Sequence, residues 1–447
     1  MAVTMRVLAT TLASVALFLV LAAGGPPAGL PPAPLCEGCN IVVVSLDTLR
    51  ADHVGCYGYH RPTTPNLDGF ASASVLFEDA ISQSAWTRPA HASMFTGLYP
   101  SEHGVVAMSE RRMLGPDLPT LAASLSAAGY RTAAFTGGGN MSAHFGLGRG
   151  FDTYRSPGRR LRDSLVPALE WLDGGGTGPF FLFVHGFDSH RPYRSEPRDR
   201  RALGLDPKRA EGILAACKGD GGPDSMAPFV AEYDAAVHRG DRALGTLFNA
   251  LGERGLFEST VVVVTSDHGE EFLEHGRCFH IHTLYAEVLR VPLVVYVPGL
   301  MPRRVAGVVP ASASLAPTLL DVVGAGRNGL DGPSLAGVLA GVVSAPGEAV
   351  SETSSRYGHG QGHGHLRSIT ADGEKLIDWI SRGQLEYFDL TADPAELRPR
   401  HSGSGMVGLK HRIEKWLEGH PRRTAGIGHG RLPQRLQRQL RAMGYIH

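Results

Sequence analysis

Apolar positions cluster in uninterrupted runs of strand length at 41–46, 180–184, 261–264 and 291–297, with a weaker run at 131–135. Unbroken β-branched runs belong to strands buried on both faces, as in a parallel sheet. Helical spacing of apolar residues lies between them, for example over 118–128 and 233–251. This alternation predicts a doubly wound α/β fold with a mostly parallel sheet. Ligands of such sheets bind beyond the carboxyl ends of the strands. Asp47, Asp188 with His190, and Asp267 with His268 all follow directly on such runs. Any one of them reads equally well as a solvated turn residue. Three strands delivering carboxylates and imidazoles to one edge make a candidate site.

The pattern changes after about residue 330. Shorter runs at 374–380 and 385–390, set among turns, predict a small hairpin-bearing α+β subdomain over 331–425. The GHGQGHGH stretch at 358–365 reads by composition as a flexible loop that takes metal only adventitiously. In the basic tail, 426–447, Leu436, Leu440 and Met443 recur at helical spacing and predict a short docking helix. At the other end, residues 7–23 form an apolar run behind Arg6, followed by small residues and a Pro/Gly-rich linker at 26–39. Residues 1–25 read as a secretory signal, with an uncleaved anchor as the alternative. Either predicts an exported chain: periplasmic, extracellular, or anchored facing outward. The large catalytic domain is then 40–330.

With 43 basic and 43 acidic residues among 447, the chain carries no bulk attraction to nucleic acid. Its 43% hydrophobic and 19% charged content excludes wholesale disorder and a coiled coil. Cys36 and Cys39 read as a local disulfide or an inert pair, since no second C-x-x-C completes a zinc site. Cys56, Cys217 and Cys278 leave an odd count, hence at least one free thiol. None is assigned to catalysis.

Residues 84–97, SAWTRPAHASMFTG, carry helix punctuation: Thr87 at the N-cap, Pro89 in the first turn, Gly97 just past the end. An oxyanion at such an N-terminus is stabilised by the macrodipole. By itself Thr87 reads as a helix cap.

An ordered set of motifs changes this reading. NIVVVSLDTLRAD (40–52), TPNLD (64–68), PAHASMFTGLYP (89–100), GYRT (129–132) and GFD (150–152) come first. DSHRPY (188–193), TSDHGE (265–270), RVP (290–292), YFDL (387–390), DPAE (393–396) and LRAMGY (440–445) follow. Together they resemble the sulfatase family of the alkaline phosphatase superfamily, which implies an alkaline-phosphatase-like fold and hydrolysis of sulfate or phosphate esters. In that family the helix starts with a Cys or Ser in C/S-x-P-x-R, oxidised to formylglycine. Here Thr87-Arg88-Pro89-Ala90-His91 stands instead, and the sulfate-contacting K-x-H pair is replaced by Thr136-Gly-Gly-Gly-Asn140. A threonine resembles instead the phosphodiesterase, phosphonate-hydrolase and phosphoethanolamine-transferase branches, whose activated Thr attacks directly.

The resemblance implies that Asp47, Thr87, Asp267 and His268 hold a divalent metal. An unassisted Thr hydroxyl needs such activation. Thr48 and His268 replace an acid and an Asn of typical sulfatases, which moves the preference toward Zn²⁺ or Mn²⁺, with Ca²⁺ or Mg²⁺ as the alternative. Asp188, His190 and His280 form a candidate second metal site or substrate clamp, with His190 or His280 protonating the leaving group. His91, in the arginine's place, orients Thr87 or the substrate, or supports the site from behind. His275 and His282 read as loop histidines bonded to backbone. The expected substrate is a small-molecule, glycan or lipid-headgroup ester, and the N-terminal segment, where it stays uncleaved, would attach the chain to a membrane. Rival readings are a phosphoryl-group transferase acting on lipid or glycan and a catalytically silent glycan-binding protein.

Overall fold

The computed structural model describes residues 34–106, 112–193, 195–206, 211–217, 222–354, 364–423, 428–429 and 432–443. The predicted leader and most of the 358–365 loop lie outside these residues. No described helix is long and apolar enough to cross a membrane.

The apolar runs form one nine-stranded sheet. Its centre is the strand Asn40–Leu46, flanked in parallel by Phe180–Gly186 on one side and Thr260–Thr265 on the other. Arg131–Phe135 and Thr153–Arg155 continue the parallel order outward. The sheet is mostly parallel as expected, and the 291–297 run supplies an antiparallel part of it beyond Thr260–Thr265. Leu293–Tyr296 pairs antiparallel with Thr260–Thr265 and with Val75–Ile81. Arg290–Val291 runs ahead of it along Val75–Ile81 in the same antiparallel sense, interrupted at Pro292, which has no N–H to give to a ladder.

Alternate side chains of the central strands point to opposite faces. Ile41, Val43, Phe181, Phe183, Val261 and Val263 enter one core, which holds the helices Thr87–Thr96 and Ala311–Val323. Val42, Val44, Leu182, Val184, Val262 and Val264 enter the other, under the helices Leu161–Asp173 and Ala227–Glu253. The sheet is therefore covered on both sides, which accounts for runs without polar alternation.

The second sheet is antiparallel, in the order Glu348–Ser354, His365–Ala371, Glu374–Trp379, Gln384–Asp389. Its first strand starts at Glu348, and Leu335, Val338 and Leu339 ahead of it pack into the large core. Glu352 and Ser351 bond to the main chain of Gln83 and Ser82, so this sheet abuts the segment leading into the helix Thr87–Thr96. The terminal helix Gln434–Ala442 docks Leu436, Leu440 and Met443 into the large core. Disulfides join Cys36 to Cys39 and Cys217 to Cys278, leaving Cys56 as the free thiol.

Candidate active site

Asp47 leaves the end of the central strand and Asp267 lies two residues beyond its neighbour Thr260–Thr265. Asp47, Asp267 and His268 are buried, with one donor atom of each within 4.8 Å of the others. The turn that joins them is unusual: Thr48, a β-branched residue, has φ 60°, a region such residues rarely adopt. That conformation lets the Thr48 N–H reach Asp267 Oδ1 at 3.2 Å, while Leu49 N–H donates to Ser266 Oγ at 2.9 Å. His268 N–H donates to the same Asp267 Oδ1 at 3.0 Å.

Each carboxylate is thus held by one oxygen only. Asp267 Oδ1 is saturated, whereas Asp267 Oδ2 and Asp47 Oδ1 are buried without a hydrogen-bond partner. Burial pushes Asp47 up to about 6, with His268 pulling the other way. It raises Asp267 too, and the charge of Asp47 adds to that. Two unpaired, desolvated carboxylate oxygens are costly without a cation. His268 supplies the complement. Its Nδ1 faces the Gly269 carbonyl at 2.8 Å, and a carbonyl only accepts. A neutral ring therefore carries its proton on Nδ1 and presents the Nε2 lone pair, the form that ligates metals. Nε2 stands 3.3 Å from Asp267 Oδ2 and 3.5 Å from Thr87 Oγ. These donors fit a divalent cation.

Thr87 is the first residue of the helix Thr87–Thr96, and Trp86 takes the N-cap position predicted for Thr87. The hydroxyl thus sits one residue inside the cap, 3.5 Å from His268 Nε2. All ten helix residues are buried, so small Ala90 and Ala92 and the terminating Gly97 let the helix sit deep against the sheet. His91 acts from behind. Its Nδ1–H donates to the Thr87 carbonyl at 2.8 Å, and Nε2 accepts from Ser45 Oγ at 3.0 Å. Burial pushes this ring down to about 3, so it is neutral. It fixes the Thr87 main chain to the central strand. Arg88 turns aside: its Nη2 donates to Asn140 Oδ1 at 2.8 Å and its guanidinium lies 3.6 Å over the Phe145 ring.

His280 and His190 gather on the neighbouring side, with ring centroids 4.5 Å (His280 to His268) and 5.1 Å (His280 to His190) apart. The Cys217–Cys278 disulfide fastens the chain just ahead of His280. Asp188 does not join them. Its Oδ1 accepts from Arg239 Nε at 2.8 Å and its Oδ2 from Leu161 N–H at 2.5 Å. The chain after the strand turns this carboxylate to the opposite face of the sheet, so its expected place in a second metal site or substrate clamp is corrected. Only the adjacent Ser189 reaches the centre, donating to the Asp47 carbonyl at 2.6 Å.

Two residues were missed. His185 accepts the Gly137 N–H at Nδ1 (3.3 Å) and donates from Nε2 to Asp47 Oδ2 (3.3 Å). Burial pushes it down to about 4. Its position at the end of the 180–184 run was the available signal. Glu270 bonds His280 Nδ1 at 2.9 Å, and burial pushes it up to about 8. It closes the TSDHGE motif and could have been found there. His275, expected to be a backbone-bonded loop residue, bonds the Glu396 carbonyl at 3.0 Å and also Glu287 at 2.7 Å.

The doubly wound, mostly parallel sheet and the family match together place the chain among the ester hydrolases of the alkaline phosphatase superfamily. Within that class, the sulfatase family model matches residues 39–325, and the chain belongs to that family. Human arylsulfatase A is 27% identical over 399 residues, covering 80% of this chain and 77% of that enzyme. A multifunctional alkaline phosphatase superfamily protein of Trinickia caryophylli is 25% identical, over 64% of this chain and 74% of its own length. The crystal structure of the phosphonate monoester hydrolase of Agrobacterium radiobacter shares the fold, with TM-score 0.71 and 20% identity over 88% of this chain and 100% of that one.

Proposed function

We propose that this chain is an exported, metal-dependent hydrolase of sulfate or phosphate-type esters in which Thr87, rather than an oxidised Cys or Ser, is the nucleophile. The carrying observation is the 3.5 Å approach of Thr87 Oγ to His268 Nε2, beside two carboxylate oxygens without donors. Similarity both to arylsulfatases and to a phosphonate monoester hydrolase supports the ester class. Two disulfides accord with an oxidising compartment.

Asp47, Asp267, His268 and the Thr87 hydroxyl would hold a divalent ion, whose chemistry is to acidify that hydroxyl and neutralise charge on the ester oxygens. Imidazole among the donors favours Zn²⁺ or Mn²⁺. Thr87 presents its oxygen at a helix N-terminus, where developing negative charge is stabilised. His91 and Ser45 keep the helix end in register with the central strand. Glu270 and His280 hold a proton between them for the leaving group, with His190 as the adjacent imidazole. Water then resolves the ester on Thr87.

The test uses the purified chain with nitrophenyl sulfate, a nitrophenyl phosphodiester and a nitrophenyl phosphonate. At least one should turn over, with metal analysis showing a stoichiometric divalent ion. Thr87→Ala should lower kcat by at least about 10³-fold while retaining the fold. Undiminished turnover by Thr87→Ala rejects the nucleophile. A stoichiometric covalent adduct without steady-state turnover would favour the transferase.

A further inference from the structure

On the sheet face opposite the helix Thr87–Thr96, a cavity of about 440 Å³ opens between the helices Leu161–Asp173 and Ala227–Glu253. Five of its twelve lining residues are arginines, Arg160, Arg162, Arg198, Arg239 and Arg242, against two acids. Those acids are already committed. Asp188 is held by Arg239 and the Leu161 N–H. Glu196 is shared among Arg160, Arg198 and Arg242. Asp199, outside the lining, takes up Arg242 as well, and five guanidinium groups still face only these three carboxylates.

One of these cations is built in rather than adventitious. Arg239 is only 7% exposed. Its Nε and Nη2 are spent on Asp188, while Nη1 is buried without an acceptor. That grip on Asp188 holds the guanidinium in one orientation within the groove's lining. Leu165, Val166, Leu169 and Ala243 supply an apolar part of the lining, and Val166 is 52% exposed. Among the described residues no aromatic ring lines the groove, so a sugar finds no stacking platform there. The size suits a small ligand.

We propose that this groove binds a small amphiphilic anion, with a sulfate-, sulfonate- or phosphate-type head among the arginines and an aliphatic or aryl body against the Leu165–Val166–Leu169 wall. The site stands on the opposite face of the sheet from Thr87 and does not depend on the hydrolase reading.

The probe is octyl sulfonate, which has no ester to cleave, titrated calorimetrically into the full chain below its micelle-forming concentration. Octyl glucoside and inorganic sulfate are the controls. One site is expected, with octyl sulfonate at least about tenfold tighter than octyl glucoside, the loss expected for a missing charge-assisted hydrogen bond. Arg162→Glu and Arg198→Glu should each weaken it by about tenfold. Both positions lie at the groove's edge, so folding and ester hydrolysis should be unchanged. Val166→Asn, which removes apolar surface without adding charge, should weaken octyl sulfonate and spare inorganic sulfate. Equal binding of octyl sulfonate and octyl glucoside overturns the proposal, as does wild-type affinity in the two charge-reversed variants. Competitive inhibition of ester hydrolysis with no effect of the variants would place the ligand at Thr87 and reject the groove.

Discussion

Glu270 and His280 are 2.9 Å apart in a buried corner of the site, and the desolvated carboxyl is pushed up to about 8. Near neutral pH the acid therefore retains its proton, and the imidazole, pushed down to about 3 by burial, does not gain a second one. One transferable proton is shared between Glu270 and His280 Nδ1. Giving it up is harder when the leaving group already departs as a stable anion's equal, and more useful when the leaving group is a poor one. Glu270→Gln keeps the shape and removes the exchange. It should lower kcat by about 10²-fold or more on an alkyl ester and by clearly less on a nitrophenyl ester, whose leaving group needs no proton. Steady-state kinetics on the two substrates measure the difference. Equal losses would mean that Glu270 only holds His280 in place.

At the scale of the element, the site depends on how deeply the helix Thr87–Thr96 is inserted. Gly97 ends it at φ 70°, and a Cβ there would lie 3.2 Å from Pro317 Cδ in the helix Ala311–Val323. Gly97→Ala should cost about 1–2 kcal/mol from the left-handed conformation alone. The expected result is a Tm lower by a few degrees with the same metal content; an unchanged Tm would show that the helix end relaxes freely. The strands were legible because hydrophobic runs report burial on both faces, and Asp47, Asp267 and His268 were legible because they sit at strand ends. Direction was not. His185 continues the pleat of Phe181 and Phe183 and so meets His91, whereas Asp188, three residues on and past the strand end, swings to the Arg239 side. Periodicity predicts the first kind of placement and stops where the regular backbone stops. Trp86 taking the N-cap is a shift of a single residue, within the uncertainty of any helix end read from caps.

Across the whole molecule, the two sheets are joined by a cluster on the 271–287 segment. His275 bonds Glu287 at 2.7 Å and the Glu396 carbonyl at 3.0 Å, and its ring stacks 3.6 Å from Tyr285. Glu396 in turn accepts from Lys375 and from the Ala286 N–H. Glu271, His275 and Glu287 have the spacing of a metal site, but both ring nitrogens of His275 are occupied, one by a carbonyl that can only accept. The arrangement is that of an imidazolium latch. Burial opposes its charge, yet the hydrogen bond and charge of Glu287 outweigh burial and push His275 up to about 9. Glu271 beside it is pushed up to about 8 by burial and by Glu287. The signs agree. A histidine raised in the folded state stabilises fully below its unfolded value near 6.5, and this contribution fades as pH rises through about 9. An acid raised in the folded state resists ionisation, so folding also loses stability as pH climbs toward about 8. Thermal unfolding followed from pH 6.5 to 9.5 should therefore show a falling Tm, and His275→Gln should lower Tm at the acid end and flatten the decline. A parallel, equally steep curve for His275→Gln would place the proton elsewhere.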